Sequence, residues 1–321
     1  MVHQFPAFTP KQEKELSDIT KCVVANRKGI LAADASVVGN FLEKIKMEKH
    51  QRFEIFSQSI RDVSFFHETL YQKDNQGKLF QTILKEKGIV VGIKLDGLSE
   101  CCAQYINEGN DFGKQCAMLK VTDQCPSSLT IQEHSASVCQ QDEWLPIVEP
   151  EVIPDGDHDL EPCQCASEKA LAVVYKALND HRVYLQTLLK PNLVTAGHAC
   201  TRKYSPEEVG MATATALHGA IPAALPIHFL SGGIKKDAML SHNAMNLCPL
   251  PKPWKLSFSY GPAPQASALA AWNGKAANKK ATQKACMQWA LAHSQAAKQY
   301  GYTGSSGPAA TQLLFTASYA Y

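Results

Sequence analysis

The sequence lacks the apolar run of roughly 20 residues that a membrane-spanning helix needs, and its first residues contain no signal-peptide core. It also lacks basic blocks, because 32 lysines and arginines against 30 aspartates and glutamates leave a formal charge of only +2. A nucleic-acid partner is therefore not indicated. Together these absences predict a cytoplasmic protein that binds neither nucleic acid nor a membrane.

A metal or disulfide pattern is also lacking, although the chain has 11 cysteines. Neither Cys101-Cys102 nor Cys163-Gln-Cys165 has the paired spacing of a zinc site, so reduced, unligated thiols are expected. The segment Asp155-Gly-Asp-His-Asp159 alternates like a calcium loop, but Leu160 and Ala166 stand where such a loop needs Gly and Glu. We read it as a structural turn and expect neither a metal nor a cofactor.

What the sequence does contain is an alternation of short apolar segments with amphipathic ones. Eight segments are predicted to be strands: Gly29–Asp34, Val63–His67, Ile89–Lys94, Cys116–Val121, Leu145–Glu151, Val183–Lys190, Ile227–Ser231 and Leu256–Tyr260. This alternation predicts an α/β protein, most simply an eight-stranded (β/α)8 TIM barrel, although a doubly wound sheet stays open on pattern alone. The length of 321 residues suits one barrel, so residues 1–321 are predicted to be a single domain.

Helices are predicted between these strands. Thr9-Pro10 starts a helix that runs to about Val24, and a capping box from Ser205 to Glu208 starts another that Gly219 and Pro222 close. The capped helix is predicted at Ser205–Leu217, and the other clear helical stretches are Pro162–Asn179 and a long C-terminal helix at Asn278–Lys298. Residues 300–321, which include the glycine- and serine-rich Gly301–Gly307, are predicted to form a mobile tail.

Lys190 ends an apolar segment and is followed at once by Pro191, which can continue neither a strand ladder nor a helix. A lysine buried there would be costly unless it is paired or neutral, and a neutral amine is the nucleophile that forms Schiff bases with ketones. The alternative is a lysine whose ammonium reaches water from the strand end. The residues alone favour that alternative.

Other polar residues also stand at predicted strand ends, which in a barrel are the first candidates for chemistry. They are Asp34, Lys94, Glu149, Glu151 and Ser231, with Lys114 at the edge of the fourth strand. Carboxylates and lysines around one mouth would couple and supply general acids and bases beside an amine. Alternatively, Asp34 caps a helix, Glu149 and Glu151 form a solvated strand end, and Ser231-Gly-Gly is only a weak phosphate-binding pattern.

The chain resembles the class I fructose-bisphosphate aldolases from Pro6 to Tyr321, and among them the vertebrate muscle-type isozyme, as a shortened and diverged copy. The motifs that carry the resemblance are Gly-Ile-Leu-Ala-Ala-Asp (29–34), Phe-His-Glu-Thr-Leu-Tyr-Gln-Lys (66–73), Pro-Ile-Val-Glu-Pro-Glu (146–151), Pro-Asp-Gly-Asp-His-Asp (154–159), Leu-Leu-Lys-Pro-Asn-Leu-Val-Thr-Ala-Gly-His-Ala-Cys (188–200), Phe-Leu-Ser-Gly-Gly (229–233) and Phe-Ser-Tyr-Gly (258–261). The resemblance implies a barrel fold and the reversible, metal-free cleavage of fructose 1,6-bisphosphate in glycolysis. It also implies a tendency to form homotetramers and to bind actin.

The resemblance assigns a catalytic role to three of these residues first. Lys190 would attack the C2 ketone, Glu149 would exchange protons while the carbinolamine loses water, and Asp34 would take the proton from the C4 hydroxyl as the C3–C4 bond breaks.

Three more residues would assist this chemistry. Lys114 would lower the pKa of Lys190 and orient the substrate, Glu151 would support the proton network, and Tyr321 would assist proton exchange at the enamine. The resemblance also implies a substrate-binding set made of Lys94, Ser36, Ser231, Gly232, Ser259 and Gly261.

The family's phosphate contacts are altered in this chain. Gly39 replaces a serine, and Glu43, Cys116 and Pro262 replace three arginines. Hydrogen bonds to charged groups contribute about 1.5–3 kcal/mol each, so their loss would remove about 4–9 kcal/mol, or roughly three to six decades in kcat/KM.

Three segments are also shorter than in the family, namely those before Val63, after Lys94 and after Pro126. We therefore expect an impaired aldolase. The rival hypotheses are a non-catalytic copy that acts as a binding or scaffold protein, and an aldolase with a less phosphorylated substrate.

Overall fold

The structure is a computed structural model. It describes residues 9–23, 28–33, 60–73, 76–95, 102–121, 145–180, 187–223, 227–230, 235–260, 271–273, 275–278 and the helical positions 280–282, 284–285, 288, 291 and 294.

Eight parallel strands follow one another in chain order around a closed barrel. They are β1 (Gly29–Ala33), β2 (Ile60–Phe65), β3 (Val90–Leu95), β4 (Phe112–Lys120), β5 (Leu145–Ile153), β6 (Leu188–Leu189), β7 (Ile227–Leu230) and β8 (Lys255–Tyr260). The barrel closes because β1 pairs with β2 on one side and with β8 on the other. The predicted (β/α)8 fold is confirmed, and the doubly wound alternative is excluded.

Helices separate the strands and cover the barrel. They are α1 (Pro10–Val23), α2 (His67–Leu70), α3 (Phe80–Glu86), α4 (Cys102–Asn107), α5 (Leu160–Asp180), α6 (Pro206–Ala220) and α7 (Lys235–Leu247), with a 3-10 turn at Ala276–Asn278. Among these described helices, none is both long and apolar enough to cross a bilayer.

The apolar residues form one core inside the barrel and others beneath the helices. Leu16 and Val23 of α1 pack with Ile30, Phe112 and Leu145, which lie near the amino-terminal ends of their strands. Helix α1 therefore covers that end and leaves the carboxyl-terminal end for the polar residues. Outside the barrel, α5, α6 and α7 pack on β5 and β6 through a second cluster.

Glycine is required where strands β3 and β4 face each other. Gly92 pairs with Phe112, and a Cβ atom at Gly92 would lie only 2.3 Å from the Phe112 ring. The missing side chain lets that ring fill the barrel interior.

Several predicted boundaries are wrong. Strand β2 starts at Ile60 and ends at Phe65 rather than His67, because Phe66 is the extended residue that caps α2. Strand β4 starts at Phe112, four residues before the predicted Cys116. The prediction began too late because the polar residues Lys114 and Gln115 do not fit the pattern of an apolar strand.

Smaller shifts affect other elements. The predicted strand Val183–Lys190 is assigned only at Leu188–Leu189, although residues 183–186 lie outside the described part of the chain. The capping box on α6 is confirmed, since Ser205 Oγ accepts from Glu208 N at 3.2 Å and Glu208 Oε2 accepts from Ser205 N at 2.7 Å. Gly219, however, lies within the last turn of α6 rather than after it, because Ile221 is the C-cap.

The C-terminal predictions are only partly covered by the structure. Asn278 belongs to the 3-10 turn, and the described positions between 280 and 294 are helical. The predicted tail at 300–321 lies outside the described residues, and its mobility stays a prediction.

His242 generates a prediction about stability. It is buried on α7 with its ring edge-on to Phe258 at 6.3 Å, and its Nε2 has no partner among the described residues. Burial lowers the pKa of His242 to about 4. The folded state therefore binds fewer protons than the unfolded state between this pKa and the ordinary value of about 6.5, and stability is lost as the pH falls through that window.

We expect His242 to remove about 2 kcal/mol of unfolding free energy between pH 7.5 and pH 5. The substitution His242→Leu should abolish that part of the pH dependence, measured by denaturant unfolding at both values. The control is His218→Leu, at an exposed position on α6, which should retain the wild-type dependence. An unchanged slope in His242→Leu would contradict the assignment.

Candidate active site

Four charged residues meet at the carboxyl-terminal end of the barrel. Lys94 on β3 lies opposite Lys114 on β4 in the strand register, and Lys114 lies opposite Ile147 on β5. Because side chains alternate along a strand, Glu149 points to the same interior face as Lys114, one layer nearer the mouth. Ile147 in turn pairs with Leu188, which places Lys190 at the level of Glu149.

Glu149 is in contact with two lysines at once. Its Oε2 accepts a hydrogen bond from Lys114 Nζ at 2.6 Å, and its Oε1 accepts one from Lys190 Nζ. The exposed fractions are 2% for Lys114, 2% for Glu149 and 4% for Lys190. We call these three residues the charged triad. Glu149 is therefore a shared partner of both lysines.

This geometry decides between the two sequence interpretations of Lys190. The ammonium does not reach solvent from the strand end, because the residue is almost fully buried and paired. Lys190 follows the last assigned residue of β6, but its N–H still donates to Val148 O at 2.8 Å, which keeps it in register with β5. Glu149 is likewise not a solvated strand end.

The structure describes only some of the remaining predicted site residues. Lys94 is buried beside Lys114 in register, while Glu151 and Ser259 are half-buried at the carboxyl-terminal ends of β5 and β8. The predicted residues that lie outside the described part of the chain are Asp34, Ser36, Ser231, Gly232, Gly261 and Tyr321.

The altered phosphate-binding positions are covered only at Cys116. Its backbone lies opposite Glu149 in the β4–β5 register, directly beside the charged triad. Gly39, Glu43 and Pro262 fall outside the described residues. The sequence position of Cys116 is therefore at the site.

The segment 154–159 is a turn whose backbone is hydrogen-bonded to the segment 197–199. Gly197 N donates to His158 O at 2.8 Å, and Ala199 N donates to Gly156 O at 2.9 Å. A Cβ atom at Gly197 would lie 2.3 Å from Gly156 O, so only glycine allows this approach. Among the described residues no cluster of His, Cys, Asp or Glu is arranged to hold a metal ion.

Asn192 is a site-adjacent residue to which the sequence interpretation gave no role. Its side chain makes three hydrogen bonds of 2.8 Å, to Val152 N, Val152 O and Leu193 O. Its position directly after Lys190-Pro191 was visible in the sequence, but its partner Val152 is 40 residues away. No local pattern predicts such a contact.

A sequence model of the family described as "Fructose-bisphosphate aldolase class-I" matches residues 15–97 and 94–321. The chain belongs to this family. The two matched segments meet at residues 94–97, immediately after the strand that carries Lys94. The division of the match therefore falls at the segment that was expected to be short, and its shortening stays a prediction.

Known aldolases resemble the chain over its whole length. Fructose-bisphosphate aldolase B of Oryctolagus cuniculus is 63% identical and that of Homo sapiens 62% identical, each over 364 residues that cover 100% of both chains. The solved fructose-bisphosphate aldolase from Plasmodium falciparum has a TM-score of 0.81 and 31% identity, and the match covers 90% of this chain and 96% of that one. These likenesses agree with the barrel.

The charge balance of the triad predicts unequal effects of its members on stability. Removing Glu149 takes a shared carboxylate away from two buried lysines at once, whereas removing Lys114 leaves the Glu149–Lys190 pair in place. Breaking a buried pair by removing one partner lowers the unfolding free energy by about 3–5 kcal/mol. We expect Glu149→Gln to reach that range and Lys114→Met to stay clearly below it.

Denaturant unfolding at pH 7.5 measures both variants. The control is Lys176→Met, since the Lys176–Asp180 pair is exposed and such pairs contribute at most about 1 kcal/mol. If Lys114→Met proved as damaging as Glu149→Gln, the assigned charge balance would be wrong.

Proposed function

We propose that this chain is a Schiff-base aldolase that reversibly cleaves fructose 1,6-bisphosphate into dihydroxyacetone phosphate and glyceraldehyde 3-phosphate. The observation that carries the proposal is the buried Lys190 amine held against Glu149, with Lys114 on the other oxygen of the same carboxylate. Family membership supplies the reaction class, and the triad supplies the groups that it needs.

Lys190 must lose a proton before it can attack a ketone, because only the neutral amine is nucleophilic. Glu149 is in hydrogen-bond contact with Lys190 Nζ and is placed to receive that proton. Lys114 adds a second positive charge next to Lys190, and repulsion between the two cations favours loss of the proton.

Schiff-base formation then follows in steps for which Glu149 is the proton carrier. The Lys190 nitrogen bonds to C2 of the sugar, and the carbonyl oxygen leaves as water after Glu149 protonates the carbinolamine hydroxyl. The iminium accepts the electron pair released when the C3–C4 bond breaks, while Asp34 takes the C4 hydroxyl proton. Glu151 and Tyr321 complete the proposed proton network during protonation of the enamine and hydrolysis.

Weak binding of the substrate phosphates is the proposed defect of this enzyme. Lys94 at the end of β3 and Ser259 at the end of β8 remain as candidate contacts, with Ser36, Ser231, Gly232 and Gly261 as the further proposed members. The Cys116 position beside the triad supplies no cation where the family has an arginine. Together with Glu43 and Pro262, this supports the expected loss of roughly three to six decades in kcat/KM.

Trapping with borohydride tests the catalytic lysine directly. Incubation with dihydroxyacetone phosphate and sodium borohydride should yield a reduced adduct on the peptide that contains Lys190, identified by mass spectrometry. The variant Lys190→Met should give no adduct there and no cleavage. An adduct on another lysine, or none in the wild type, would remove the proposed mechanism.

Restoring the arginines tests the proposed impairment. The triple variant Glu43→Arg, Cys116→Arg and Pro262→Arg should raise kcat/KM for fructose 1,6-bisphosphate by roughly three to six decades if phosphate binding alone is deficient. The same triple substitution in a Lys190→Met background should stay inactive. A triple variant without any gain would locate the defect in the shortened segments instead.

Finer features of the chain are proposals as well. The rabbit and human relatives are named aldolase B, so the muscle-type resemblance stays a prediction. A shortened chain is supported by an alignment of 364 positions that spans all 321 residues. One domain over residues 1–321, a homotetramer, actin binding and a cytoplasmic location complete the proposal.

A non-catalytic copy that survives as a binding or scaffold protein is the second candidate, and Asp62 is the observation that favours it. Both carboxylate oxygens of Asp62 are buried without a hydrogen-bond partner in the described residues. Burial raises its pKa well above the ordinary value, and the Arg61 charge only partly opposes this. A buried group of this kind lowers the stability of the barrel. A cooperative thermal transition of the purified chain would argue against a decayed copy.

A further inference from the structure

Two prolines interrupt the main-chain hydrogen bonding where the catalytic pair is held. Glu149 is followed by Pro150 on β5, and Lys190 is followed by Pro191 after β6. Proline has no N–H to donate, so Pro150 cannot donate to β6. Pro191 lacks a donor on the opposite side, toward β7, because the N–H of Lys190 faces β5. The β5–β6 ladder therefore lacks the next main-chain hydrogen bond after the one from Lys190 N to Val148 O.

The side chain of Asn192 supplies hydrogen bonds at the same place. Its Oδ1 accepts from Val152 N and its Nδ2 donates to Val152 O, both at 2.8 Å, so the amide pairs with a residue of β5 as a neighbouring peptide group would. A further bond from Nδ2 to Leu193 O fixes the amide on its own chain. Asn192 is buried, which excludes competition from solvent.

These contacts bracket the catalytic pair on both sides. Upstream, Lys190 N donates to Val148 O at 2.8 Å, one residue before Glu149. Downstream, Asn192 is tied to Val152, three residues after Glu149. The backbone that carries Lys190 is thus fixed relative to the backbone that carries Glu149 at two points.

We propose that Asn192 is a positioning residue for Lys190, whose side-chain amide replaces the β5–β6 main-chain hydrogen bonding that Pro150 interrupts. The proposal concerns how the amine is aimed at Glu149 and an incoming carbonyl. It rests on the proposed function only in that the amine must be reactive toward ketones.

The test uses acetone, a ketone without phosphate groups, so it does not depend on phosphate binding or on sugar cleavage. The full chain is incubated with acetone and sodium cyanoborohydride. The Lys190 nitrogen bonds to the carbonyl carbon, water leaves, and hydride from the borohydride reduces the iminium to a secondary amine. Peptide mapping follows the adduct at Lys190 as a function of acetone concentration.

Two variants remove the contacts to different degrees. Asn192→Ala loses all three bonds, whereas Asn192→Asp keeps the shape and the bond from Val152 N but loses both donors. We expect the maximal rate of adduct formation at Lys190 to fall by about 10- to 100-fold in each, since small misplacements of a reacting group have effects of this size. The acetone concentration for half-maximal rate should stay within about twofold, because Asn192 does not contact the ketone.

Thr213→Val is the matched control for a loss of stability alone. Thr213 is buried on α6, and its Oγ1 accepts from Val194 N at 3.0 Å, so this variant also removes a side-chain bond to the segment after Lys190. It should lower the melting temperature while leaving the maximal rate within about twofold of the wild type. Asn192→Asp decides the question if Asn192→Ala does not fold.

The outcomes separate this proposal from the proposed function. Adduct formation in the wild type with loss in the Asn192 variants supports the positioning role, even if fructose 1,6-bisphosphate is not cleaved. A wild-type maximal rate in either folded Asn192 variant, with only a lower melting temperature, would reduce Asn192 to a packing role. Absence of an adduct at Lys190 in the wild type would overturn the proposal, because no reactive amine would then be there to position.

Discussion

One carboxylate shared by two lysines is the interaction on which the site depends. Glu149 is in contact with both Lys114 and Lys190, and all three side chains are almost completely buried. An ion pair in such surroundings is maintained only when its geometry is good, because desolvation opposes it. The strands β4, β5 and β6 must therefore keep their register at the barrel mouth, and the contacts at Val148 and Val152 serve that requirement.

The two ends of the barrel differ in how their buried ionisable groups are hydrogen-bonded. At the mouth, the buried charged groups of the triad form hydrogen bonds with one another. Near the amino-terminal end, Asp62 pairs in register with Ile30 and is buried without a hydrogen-bond partner among the described residues. His242 adds another buried ionisable group among the helices that cover the barrel. Folded domains have free energies of unfolding of only about 5–15 kcal/mol, so each buried ionisable group can lower this free energy by a sizeable fraction. Stability is thus a separate question from chemistry in this chain.

Much of the fold could be predicted from the sequence because eight apolar segments alternate with helical ones. The errors arise where residues serve the site rather than the core. Strand β4 was predicted to begin four residues too late because Lys114 and Gln115 break the apolar pattern, and Lys114 does so because it faces the charged interior. The local pattern at Lys190 favoured a solvated lysine, since its partner Glu149 comes from another strand, 41 residues away, which no short window of sequence includes.

The place where the family match divides is consistent with an intact triad. The family match divides at residues 94–97, after β3 has already delivered Lys94 to the mouth. Lys94 still lies opposite Lys114, and Lys114 is still in contact with Glu149. In a barrel, register is set by hydrogen bonds between strands, whereas a connecting loop contributes little to it. A difference in the segment after β3 can therefore leave the lysines and the glutamate aligned.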